Sequence, residues 1–157
     1  MGASLSSLAA LVSALLLVAC GPAADTEPAA ARAPDEQIEV LVTALVDAVQ
    51  AKQPVFVMDH VAGAFKDERG LDYFGVRSLV ESFAFRDEEV GARLESLAIS
   101  PGENGAQRVS ARVSFVLGRR LSAGAPLPPG GVTYALELVF AKNGVRWQAT
   151  GGSYRRE

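Results

Sequence analysis

One cysteine, one histidine and three lysines are all that 157 residues supply of those types. A single thiol rules out a disulfide framework within one copy of the chain, and also a cysteine-rich metal site. A single histidine leaves too few parts for a Ser-His-Asp or Cys-His nucleophilic arrangement. Surplus basic charge is missing as well. Residues 37–157 hold 14 acidic and 14 basic side chains, so the body lacks the electrostatic footprint of a nucleic-acid binder. The Gly-rich stretch 124–131 has no Lys or Ser/Thr after its glycines, which excludes a phosphate loop. No internal repeat is evident, and no cofactor or metal site is expected.

What is present begins with an absence of charge. Residues 1–19 contain no ionisable side chain and consist mostly of Ala, Leu and Val, as in the apolar stretch of an export signal. A membrane-spanning helix needs about 20 apolar residues. Here Ser4, Ser6, Ser7 and Ser13 dilute the run. A plain cleaved signal explains the run but not the cysteine that ends it. Leu17-Val18-Ala19-Cys20 explains both. It resembles the lipobox of bacterial lipoprotein signal peptides, in which a small residue precedes the cut and a nucleophilic thiol receives the lipid. The resemblance implies that 1–19 is removed and that Cys20 becomes a lipidated amino terminus held in a bilayer. Two or more acyl chains give stable anchoring, at about 0.8 kcal/mol per buried methylene. Gly21, where Asp commonly retains such proteins in the inner membrane of Gram-negative cells, implies an outer-membrane site facing the periplasm if the cell is Gram-negative.

Residues 20–36 read as a linker rich in Pro and Ala, with no apolar periodicity. At about 3 Å per residue, such a tether can stand the domain up to roughly 40 Å from the bilayer. The domain is expected over 37–157. Ile38, Leu41, Val42, Leu45, Val46 and Val49 recur at helical spacing. Pro54 suits the first position of a second helix, expected to run to about Ala62. A charged loop follows, and Asp72 is a fitting cap for a third helix in which Val76, Leu79, Val80 and Phe83 share one face. Beyond Arg86 the period falls to two. Strands are expected over 91–99, 109–117 and 132–140, and a last one follows the Asn143-Gly144 hairpin turn and contains Trp147. The order predicts an α+β fold, with about three N-terminal helices on a curved antiparallel sheet of about four strands.

That order resembles the nuclear transport factor two-like superfamily, which includes ketosteroid isomerase. The matching features are the opening amphipathic helix, the short helix from Gln53-Pro54-Val55-Phe56, the stretch Asp59-His60-Val61 through Phe65, and the final hairpin with Trp147. The resemblance implies a sheet wrapped around a long helix, leaving a cone-shaped cavity. Enzymes of the superfamily place Asp, His or Tyr inside the cone. The candidates of those types here are Asp59, His60, Asp72 and Tyr73. His60 would serve as a general base at the cavity mouth; the competing reading is a helix-end histidine bonded to the following loop. Lys66-Asp67-Glu68-Arg69-Gly70-Leu71-Asp72 faintly resembles a calcium loop, but it lacks the alternating ligands and the closing Glu.

The expected function is that of a cell-envelope lipoprotein whose domain binds a small apolar ligand or a protein partner without catalysis. One alternative is a small-molecule enzyme of isomerase, lyase or hydrolase type using His60 and an Asp. Another is a structural or assembly role, with homodimerisation through the sheet face as in other members of the superfamily.

Overall fold

The structure, a computed structural model, describes residues 32–157. The signal segment, Cys20 and most of the linker lie outside the described residues. Three α-helices and five strands follow in order among the described residues: α1 (Pro34–Gln50), α2 (Pro54–Asp59), β1 (Val61–Asp67), α3 (Tyr73–Ala84), β2 (Val90–Pro101), β3 (Gln107–Leu117), β4 (Val132–Asn143) and β5 (Arg146–Arg156). This is the expected α+β fold, with one strand more than the sequence pattern gives.

Each helix starts where local chemistry favours it. Pro34 and Pro54 take first-turn positions in α1 and α2, where a missing N–H costs nothing. Asp35 and Glu36 place negative charge in the first turn of α1, complementing the helix dipole. The Asp72 carboxylate accepts the Gly75 N–H at 2.9 Å and so caps α3.

The sheet runs β1-β5-β4-β3-β2. Strands β2 to β5 are antiparallel neighbours, whereas β1 pairs parallel to β5. Strand β1 corrects two expectations. The second helix stops at Asp59 instead of reaching Ala62, and part of the expected loop is a strand. The reason is non-local. Val61 pairs with Ala149 and Asp67 with Gly152, partners more than 80 residues away that no local pattern reveals. The final turn also differs in detail. Asn143 pairs with Arg146 as part of the ladder, so the turn residues are Gly144 and Val145. Gly144, with φ +62°, takes the first central position, as glycine does in type II′ turns.

Helix α1 lays Ile38, Leu41 and Val42 against Val109, Ala111 and Val113 of β3 and Phe140 of β4 within one buried cluster. The Trp147 indole N–H donates to Gln37 Oε1 at 2.9 Å, joining the last strand to the first helix. At the other end of α1, the Gln50 Oε1 accepts the N–H groups of Ala92 and Leu121, each at 3.2 Å. Arg93 holds the following loop, donating to the carbonyls of Ser122 at 2.7 Å and Ala125 at 2.6 Å. The same guanidinium is bonded to Glu95 and, with smaller help from Ser114, holds that carboxyl below its ordinary pKa.

Register breaks at Leu94/Ser96, at Val139/Phe140 and between Val61 and Lys66 bend the sheet, as bulges do. At Gly152 the backbones approach so closely that an added Cβ would lie 2.3 Å from the Glu137 carbonyl oxygen. Gly152→Ala is therefore expected to destabilise the domain by about 2 kcal/mol or more, measured as a lowered urea midpoint at unchanged slope.

Candidate functional site

Helix α3 has an apolar stripe but no buried residue. A helix whose hydrophobic face meets a filled core buries its central side chains. Here that face meets space. Val76, Leu79, Val80 and Phe83, the four residues that share a face by sequence, all border a cavity of about 550 Å³ between α3 and the sheet. Leu136, Leu138 and Tyr134 of β4 and Phe115 of β3 form the facing wall. The volume lies within the usual range of small-molecule sites.

An aromatic series runs along this wall. Phe83 stacks on Phe115 at 6.5 Å between ring centroids, Phe115 meets Tyr134 edge-on at 5.9 Å, and Tyr134 meets Tyr154 at 6.3 Å. A guanidinium lies over each terminal ring. Arg86 is 5.9 Å from the centroid of Phe83, and Arg69 is 5.0 Å from that of Tyr154. Such contacts are worth about 0.5–1 kcal/mol where exposed.

Two charged side chains border the cavity, Lys52 and Asp67. Asp67 stands on the inward face of β1 with Val61 and Phe65 and is 8% exposed. Its Oδ1 accepts the N–H groups of Arg69 at 2.9 Å and Leu71 at 2.6 Å. Its Oδ2 is buried with no hydrogen-bond partner. A buried carboxylate oxygen left unpaired is costly, and such a group points to a site rather than to stability. Lys52 adopts the left-handed backbone conformation, with φ +56°, uncommon for a residue other than Gly, Asn or Asp. Its ammonium donates to the Arg86 carbonyl just past the end of α3.

The residues singled out by type in the sequence lie elsewhere. Asp59 ends α2, half exposed, 3.9 Å from the Arg146 guanidinium. His60 caps that helix, with its ring 4.8 Å from Phe56 and its Nδ1 2.9 Å from the Phe56 carbonyl oxygen. Tyr73 opens α3 and packs against the core beside Phe74, and Asp72 is the helix cap. The structure places Asp59 and His60 side by side but brings none of the four to the cavity lining. Trp147 is 6% exposed within the core. Among the described residues, no group of three or more His, Cys, Asp or Glu side chains is arranged to hold a metal. In the segment that resembles a calcium loop, Asp67 turns one oxygen onto backbone N–H groups.

Asp67 stands in a segment that reads as a charged loop. The available signal was weak: Val61, Phe65 and Asp67 lie at even spacing, but Gly63 interrupts the series. Lys52 carried no signal, since its importance rests on a backbone angle.

No protein-family model matches the chain, and no curated protein matches it. Solved structures do resemble it. Aln2 from a Streptomyces species superposes with a TM-score of 0.61 at 9% identity, over 80% of this chain and 93% of that one. An NTF2-like protein from Cytophaga hutchinsonii gives 0.60 at 12%, over 80% and 100%. A nuclear transport factor 2 (NTF2-like) superfamily protein from Salmonella enterica serovar Typhimurium gives 0.57 at 14%, over 77% and 89%. At these identities the likeness is one of fold: the domain has the NTF2-like fold, which serves both enzymes and non-catalytic binding proteins.

The two oxygens of Asp67 predict different mutational costs. Asp67→Ala leaves two N–H groups without their acceptor and is expected to cost about 1–3 kcal/mol. Asp67→Asn keeps an acceptor oxygen and is expected to cost less than half as much. Denaturant titration of both variants checks the order.

Proposed function

We propose that this protein is a cell-envelope lipoprotein, anchored through acylated Cys20, whose domain binds a small, largely apolar ligand in its cone without transforming it. The observation that carries the binding reading is the apolar face of α3, which borders an open apolar cavity and has no fully buried side chain. The rest of the surface supports a ligand over a sheet-face partner. The opposite face of the sheet is occupied by polar pairs: Arg112 with Glu157, Arg93 with Glu95, and Ser110 with Glu137, each at 2.6 Å. Large exposed apolar side chains are spread over several elements: Phe74 (72%) and Phe85 (78%) lie on α3 and just past its end, Val55 (74%) on α2 and Val145 (98%) in the last turn.

The anchor rests on the lipobox-like Leu17-Val18-Ala19-Cys20 and the Pro/Ala-rich tether after it. It places the domain in the envelope, on the outer membrane facing the periplasm in a Gram-negative cell.

A second reading has one observation in its favour. The carboxylate of Asp67, in an apolar site, is the kind of group that acid–base chemistry of isomerase, lyase or hydrolase type uses. His60, expected to act together with an Asp, is not on the lining, so such chemistry would run without it.

Two experiments test the reading. N-phenyl-1-naphthylamine, a neutral apolar fluorophore, is expected to brighten on binding the wild-type domain. Binding to Val80→Trp, whose indole takes up part of the cone, is expected to be weaker, with a cooperative melt checking that the variant folds. Absence of binding to the wild type overturns the ligand reading. For the anchor, Cys20→Ser is expected to move the protein from the membrane pellet to the soluble envelope fraction. An unchanged distribution refutes lipidation at Cys20.

A further inference from the structure

The two charged groups of the cone stand at opposite ends of α3, and the space between them is apolar. Asp67 lies at the amino-terminal end. Its carboxylate accepts the Leu71 N–H, and Leu71 immediately precedes the helix cap Asp72. Lys52 lies at the carboxy-terminal end, where its ammonium meets the carbonyl of Arg86, two residues beyond the last helical residue, Ala84. Twelve helical residues at about 1.5 Å each set the two ends roughly 18 Å apart. The aromatic series from Phe83 to Tyr154 runs along the wall between them.

From this arrangement we infer that the cone's ligand is an elongated amphiphile with a polar group at each end: an anionic head held by Lys52, and a hydrogen-bond donor at the far end of its apolar body that meets Asp67. The inference rests on the ligand reading above and names its chemistry. Each end is argued independently. An ammonium has three N–H donors, and the Arg86 carbonyl uses one, leaving two for a carboxylate or phosphate oxygen. Placing that ammonium at the mouth holds a non-glycine residue at φ +56°, a conformation that persists where the surroundings impose it. Arg86, over the ring of Phe83, adds positive charge at the same end.

At the other end, Oδ2 of Asp67 is buried and unpartnered while Oδ1 is saturated by two backbone N–H groups. A hydroxyl or amine on the ligand supplies the missing donor, and a ligand that is apolar to its tip leaves the penalty in place. Leu71, bonded to Asp67 through both its N–H and its carbonyl, borders the same cavity.

The test uses displacement of N-phenyl-1-naphthylamine from the protein by four ligands that share a twelve-carbon chain. These are ω-hydroxylaurate, laurate, lauryl alcohol and methyl laurate. ω-Hydroxylaurate is expected to bind about tenfold more tightly than laurate, and laurate about tenfold more tightly than its methyl ester, the scale of one hydrogen bond to a charged group. Lys52→Asn keeps a residue tolerant of the left-handed region and is expected to erase the preference for laurate over methyl laurate. Asp67→Asn is expected to reduce the preference for the ω-hydroxyl without changing the preference for the carboxylate head. Equal displacement by all four compounds, or unchanged preferences in the two variants, overturns the two-ended ligand while leaving the apolar cone intact. Failure of the fluorophore itself to bind refutes the underlying ligand reading instead.

Discussion

The domain depends on one contact across the length of the chain. The apolar stripe of α1 covers the centre of the sheet, and the hydrogen bond from Trp147 to Gln37 fixes the last strand to the first helix. Ile38 is fully buried and Phe140 nearly so, and burial of such side chains is worth about 1.5–3 kcal/mol each. With α1 seated, Gln50 at its far end reaches the start of β2 and the loop after β3, so the helix also fixes the β2–β3 side of the sheet. Helix α3 is then left to span the open side of a bent sheet.

That division of labour explains how a small domain keeps a cavity. Packing to normal density would bury the stripe of α3 and close the space. The bends at the strand irregularities carry the sheet away from the helix, and Gly152 lets β1, β4 and β5 approach where a side chain would force them apart. Much of the buried core lies between α1 and the sheet, which leaves the apolar face of α3 to border a cavity. The lining is largely apolar, with Asp67 and Lys52 as its charged members among the described residues; on the proposed reading those two groups orient a ligand where the hydrocarbon surface cannot. The same logic separates the two faces of the sheet. Inward residues make core and cavity, while outward Arg, Glu and Ser pair with one another.

Tethering bears on this chemistry. On the reading of Cys20 as an acylated terminus, the cone stands within about 40 Å of a bilayer, close to a source of long apolar molecules with charged heads.

Much of this was legible in the sequence because it depends on local periodicity. The 3.6-residue spacing of α1 and α3, the alternation in β3 and β4, the prolines at helix starts and the Asp72 cap are written in neighbouring residues. So is the lipobox-like signature, which no tertiary contact is needed to read. Strand β1 was hidden because its partner lies at the other end of the chain and its own alternation is interrupted by glycine. The site was hidden for a related reason. The sequence ranked His60, Asp59 and Tyr73 by residue type, but which carboxylate faces the cone depends on how a parallel edge strand is registered against β5. That Val76, Leu79, Val80 and Phe83 share a face followed from spacing alone. That the face looks onto a cavity, with Asp67 and Lys52 at its two ends, was decided only by tertiary packing, because empty space between elements leaves no periodic trace.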